Sequence, residues 1–166
     1  MQVKPFRYDV LVRAAVFATG AAFALSASAV HTGTEQHPTV TDGNAMNWGA
    51  APPTLPGGAQ ATVLYGSPGK EGPFVIRLKF PAGYVVPPHS HSRDELVTVI
   101  SGKMAVLGGE KIDRSQFKPL APGSFINIPA GTSHYAMAET ESVVQINGNG
   151  PFDITYLNPK DDPRAQ

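Results

Sequence analysis

The sequence predicts an all-β protein built from many short strands, and three observations carry that reading. Charge is sparse and loop formers are plentiful: 16% of the 166 residues are Asp, Glu, Lys or Arg, against 17 Gly and 16 Pro. β-Branched and aromatic residues come in short runs separated by Gly-, Pro- and Ser-rich clusters, the punctuation of strands and turns. Phe74, Ile76, Leu78 and Phe80 alternate with Val75, Arg77 and Lys79, the period of two that gives a strand one core face and one solvated face. The length suits one domain plus an additional segment, enough for a hydrophobic core.

Lys4, Arg7 and Arg13 precede an apolar run over residues 14–25, which ends in Ala27-Ser28-Ala29. A basic start, a short apolar centre and a small-residue cut site are the layout of a secretory signal peptide over residues 1–29. The run is shorter than the roughly 20 apolar residues of a membrane-spanning helix. The expectation is a mature chain beginning at Val30, periplasmic or secreted, with no membrane attachment after cleavage. No Arg-Arg pair is present, which points to export before folding. Residues 30–60 read as a Pro/Gly-rich arm whose Trp48 packs on the outside of the strands. His31 and His37 lack ligand spacing there and read as loop histidines.

The strand pattern runs over residues 61–158. A short strand over residues 62–65 ends in the turn cluster Gly66-Ser67-Pro68-Gly69. The alternating strand at 74–80 follows, then a nearly continuous apolar strand at 96–100. Ser101-Gly102-Lys103 reads as a hairpin turn into a strand at 104–107. Residues 111–118 read as a loop or short edge strand, 151–157 as one last strand, and 159–166 as a polar tail without helix signal. A swapped arm or an edge strand could pair two copies, so a homodimer is an expectation. Basic and acidic residues balance at 13 each. With three of the basic ones in the leader, the body is slightly acidic, which argues against a nucleic-acid partner. With no cysteine, disulfides, thiolate metal sites and cysteine nucleophiles are excluded.

Chemistry concentrates between Gly83 and Gly102. His89 and His91 stand two apart, so a strand would aim both imidazoles to one side, and Glu95 could meet them from a neighbouring strand. Two neutral imidazoles and a carboxylate suit a divalent transition metal that wants a fourth ligand. His134, just beyond Pro129 and Gly131, is a candidate for that place. Asp94 has the opposite parity and reads as a surface charge.

Together these stretches resemble the cupin superfamily. Gly83, His89, His91, Glu95 and Gly102 match its first motif, G-x5-H-x-H-x3-E-x6-G. Gly123, Pro129, Gly131 and His134 match the second, G-x5-P-x-G-x2-H-x3-N, with Ala138 in place of the final Asn. The resemblance implies a jelly roll, a double-stranded antiparallel β-barrel, with one metal held by His89, His91, Glu95 and His134. It also implies that both histidines and the glutamate of the first motif share a hairpin. Such a shell suits Mn, Fe, Ni, Co, Cu or Zn, and the Irving–Williams order favours Cu or Zn for a site filled outside the cytosol. Ala138 shares a face with His134 and Ala136, so it should leave that side less polar and roomier.

Val97, Val99, Met104, Val106, Phe125 and Met137 are candidate wall residues. Tyr84, Tyr135 and Gln145 are the polar candidates for contact with a substrate or metal-bound water, with Gln145 foremost because it interrupts an apolar run. The function expected is a small-molecule enzyme of oxygenase type. A non-catalytic metal- or metabolite-binding module and a metal-dependent lyase or isomerase are the alternatives.

Overall fold

The computed structural model describes residues 37–165, and the chain divides after Pro38, so the fold is that of the unit beginning at Thr39. The leader, its cleavage site and His31 lie outside the described residues. Ten strands run in chain order: β1 Gly49–Ala50, β2 Gln60–Tyr65, β3 Gly72–Phe80, β4 Val85–Ser90, β5 Glu95–Ser101, β6 Met104–Gly108, β7 Phe125–Ile128, β8 His134–Ala138, β9 Ser142–Gly150 and β10 Thr155–Tyr156. Six form one antiparallel sheet in the order β1-β2-β3-β9-β5-β7, and four form a second in the order β10-β4-β8-β6. The two facing sheets make a jelly roll rather than one continuous hydrogen-bonded ring.

Alternation builds the core. Phe74, Ile76, Leu78 and Phe80 of β3 are all buried. They share an inward face with Val144 and Ile146 of β9 and with Val97 and Val99 of β5, set by the pairs Leu78↔Val144, Ile76↔Ile146 and Val97↔Ile146. The four-stranded sheet supplies Val86, Met104 and Ala138, with Val86 opposite Ala136 and Met104 opposite Ala138. Packed inward faces of two sheets are the main source of stability in such a fold.

Four expectations are revised. Ser101-Gly102-Lys103 is not a hairpin turn, because β5 pairs with β7 and β9 while β6 pairs with β8; the turn carries the chain from one sheet to the other. Gly102 takes φ 90°, and a Cβ there would lie 2.3 Å from the Glu141 carbonyl oxygen. The last strand is only β10, since residues 151–154 leave the sheet. The tail carries two 3-10 turns, Pro159–Asp161 and Pro163–Ala165, the second tied by Arg164 to Asp162 and to the Ile154 carbonyl. The arm also belongs to the fold. Its β1 pairs with β2, Trp48 lies on the outside with the Lys79 ammonium 4.4 Å from its ring centroid, and the Tyr156 hydroxyl donates to the Thr54 carbonyl at 2.7 Å.

Candidate metal centre

His89 sits near the end of β4 and His91 just beyond it. Pro87 and Pro88 have no N–H to give the ladder, and the β4–β8 register shifts between Val86 and His89, a bulge where proline makes one affordable. His89 then pairs directly with His134, the first residue of β8. Glu95 opens β5 in the opposite sheet, so the histidines and the glutamate of the first motif face one another across the core rather than sharing a hairpin. The sharp return between them is held from outside: the exposed Asp94 carboxylate accepts from the Ala130 N–H at 2.8 Å, and the Gly131 N–H donates to the His91 carbonyl at 2.8 Å.

All four side chains are buried. The histidines present ring nitrogens within 4.8 Å of one another, and Glu95 Oε2 lies 3.3 Å from Nε2 of both His91 and His134. The other face of each ring is committed. Nδ1 of His89 meets the Pro87 carbonyl at 2.7 Å, that of His91 the Asp153 carbonyl at 2.5 Å, and that of His134 the Thr132 carbonyl at 2.9 Å. A carbonyl only accepts, so each Nδ1 carries the hydrogen, and a neutral ring then offers Nε2 as a lone pair. His91 Nε2 is buried with no hydrogen-bond partner. Lone pairs gathered round a carboxylate away from water are an arrangement that a cation resolves, and the donor set fits a divalent transition metal.

The electrostatics agree with that geometry. Burial, helped by the neighbouring His134, lowers the His89 pKa to about 3. Burial also works against charge on His91, but the Glu95 carboxylate and the Asp153 carbonyl outweigh it and raise its pKa. Burial opposes the ionised form of Glu95, yet the facing imidazoles of His134 and His91 lower its pKa to about 2. The glutamate is an anion, and its charge favours a cation, proton or metal, beside His91.

The cluster opens on a cavity of about 320 Å³ whose walls are chiefly aliphatic. Of the expected wall residues, Val97, Met104 and Val106 line it, and Val99 is buried in the core below. Phe125 is 63% exposed on the outer face of β7, and Met137 faces away because His134 and Ala136 take the inward parity of β8. Ala138 packs in the core opposite Met104 instead of lining the cavity, so the room beside the cluster comes from Ala136.

None of the three polar candidates reaches the cavity. Gln145 lies on the outer face of β9, where its Oε1 accepts from Arg77 Nε at 3.1 Å, since Val144 and Ile146 occupy the inward positions. Tyr135 is buried on the outer side of β8, its oxygen accepting from the Asp113 N–H at 3.1 Å. Tyr84 stacks on Phe80, with ring centroids 5.0 Å apart, and donates to the Pro56 carbonyl, pinning the arm.

Two residues with no distinguishing sequence signal do stand at the site. Phe152 stacks on His91 at 4.4 Å between ring centroids. Asp153 holds His91 through its carbonyl, while its carboxylate accepts from the Ser92 N–H at 2.9 Å and from the Ser92 hydroxyl.

Comparison with known proteins agrees with this architecture. A family model described as "Cupin domain" matches residues 76–146, which span all four cluster residues. Among solved structures, the chain is similar to the polyketide cyclase RemF from Streptomyces resistomycificus (15% identity, TM-score 0.62, covering 76% of this chain and 90% of that one). It is also similar to a putative acetylacetone dioxygenase from Methylibium petroleiphilum (22% identity, TM-score 0.57, 78% and 88%) and to KdgF from Halomonas sp. (21% identity, TM-score 0.52, 69% and 96%). At these identities the likeness is one of fold. No curated protein matches. Two facing antiparallel sheets, both histidine-bearing motifs and the matching family model identify residues 76–146 as a cupin domain.

Proposed function

We propose that this protein is an exported metalloenzyme of oxygenase type that acts on a small molecule. In this reading His89, His91, Glu95 and His134 hold one divalent transition metal. The carrying observation is the convergence of ring nitrogens and a buried carboxylate, with every Nδ1 tied to a carbonyl, at the edge of a largely apolar cavity. A metal in that shell supplies open coordination positions for a chelating substrate and for dioxygen. The chain's own contribution is to fix the three imidazoles in one tautomer, to place a single negative charge among them and to keep water out with aliphatic walls.

The oxygenase reading is favoured over lyase or isomerase by the scarcity of proton-transfer groups. Among the described residues lining the cavity, Asp153 is the only ionisable one beyond the cluster, and its carboxylate is engaged by Ser92. A reaction that shuttles protons needs a positioned acid or base, whereas oxygen activation takes its reactivity from the metal. The relatives named as a dioxygenase and a cyclase leave the fold itself neutral between reactions.

Elemental analysis of protein from its native compartment tests the centre. About one transition-metal ion per chain is expected, with His91→Ala losing it; unchanged metal content in that variant would overturn the assignment. Oxygen uptake coupled to substrate loss is the expected activity. Equal turnover without oxygen would make the protein a lyase or isomerase, and tight ligand retention without turnover a binding module.

A further inference from the structure

Strand register stacks the interior into layers. The first holds His89, His134 and Glu95. The next layer along the strands, reached in β4 across the bulge, holds Val86, Ala136 and Val106 from one sheet, facing Val97, Ile146 and Ile76 from the other. A third layer closes the floor with Met104, Val99 and Val144, all at most 2% exposed. The cavity therefore runs from the polar cluster into a purely hydrocarbon layer, and Ala136, its smallest side chain, provides the space.

The walls are as informative for what they lack. Among the described residues lining the cavity there is no Lys or Arg, and Thr54 carries the one hydroxyl. A carboxylate or phosphate on the buried end of a ligand would find no counter-charge there. The hydroxyls of a sugar would lose water without gaining partners. The volume stands at the low end of small-molecule sites, about 300–1,000 Å³.

We infer that the cavity selects an uncharged, hydrocarbon-rich small molecule bearing two neighbouring oxygens, with its oxygens at the histidine–glutamate cluster and its hydrocarbon end against Ala136. The oxygen end rests on the metal-centre reading; the hydrocarbon end stands without it.

The test compares two ligands by calorimetry on the zinc-loaded protein, which binds without oxidising them. These are benzoylacetone and 4-acetoacetylbenzoate, which share the same pair of chelating oxygens and differ by a carboxylate on the ring end placed against Ala136. Benzoylacetone is expected to bind at least tenfold more tightly; equal or tighter binding of 4-acetoacetylbenzoate overturns the inference. Ala136→Leu should weaken benzoylacetone at least tenfold while zinc content stays at the wild-type level, and the milder Ala136→Val should fall between. Unchanged affinity in both variants would overturn the placement of the hydrocarbon end. On metal-free protein, toluene should shift the methyl resonances of Val97 and Ile146. Failure of zinc to bind would sink the metal centre alone, whereas failure of toluene to enter would sink the hydrocarbon site alone.

Discussion

His91 places opposite demands on its two nitrogens. Nδ1 is bound to the Asp153 carbonyl, so whatever shares the space with Glu95 must sit on Nε2, either a proton or a metal ion. The raised His91 pKa means that a proton is held more firmly there than on a free imidazole, and a metal must displace it. Apparent metal affinity should therefore fall as pH drops, beginning above the ordinary histidine value of 6.5. Glu95, lowered to about 2, and His89, lowered to about 3, add no competing proton between pH 5 and 8. Metal retention after dialysis across that range checks the sign; retention that improves on acidification would contradict it. Gln145 offers the contrasting residue. Replacing it with Ala removes the half-buried bond to Arg77 at a cost of about 0.5–1.5 kcal/mol, read by urea unfolding, and should leave metal content unchanged.

At the scale of elements, the passage from β5 to β6 decides how the site is assembled. Because this turn changes sheets, β5 is free to pair with β9 and β7 and to present Glu95 across the core from His89 and His134. Gly102 makes the turn possible through its positive φ and its close approach to Glu141 and Ser142. An alanine would be strained and would press its Cβ against backbone that cannot yield. Gly102→Ala should cost about 2–4 kcal/mol in denaturant unfolding, with the mutant's m-value unchanged; full wild-type stability would show the turn to be more plastic than its geometry. The bulge at Pro87-Pro88 works on the same scale, turning two residues that cannot donate into the feature that sets His89 opposite His134.

At the scale of the whole molecule, two sheets enclose a core that is closed at one end and carries the cluster toward the other. The arm and the C-terminal segment contribute Pro52, Thr54, Leu55, Phe152, Asp153 and Ile154 to the cavity wall, so residues beyond the strands complete the site. Export, read from the first 29 residues, predicts that mass spectrometry of the exported fraction finds a chain beginning near Val30. An intact, membrane-bound chain beginning at Met1 would refute it.

How much was legible beforehand follows from what periodicity encodes. Alternation at residues 74–80 determined which side chains face the core, and the spacing of His89, His91, Glu95 and His134 marked the donors that the fold gathers. Both are local properties, since a strand's period and a ligand's chemistry need no partner to be defined. Pairing is not local. Tertiary structure alone decided that 101–103 changes sheets and that Glu95 arrives from the opposite side. It likewise turned Gln145 and Tyr135 outward, left Tyr84 pinning the arm, and brought Phe152 and Asp153 to His91 from about sixty residues away. The physical reason is that parity assigns a residue to one of two faces. Which face looks inward, and what it meets there, depends on contacts between segments far apart in the chain.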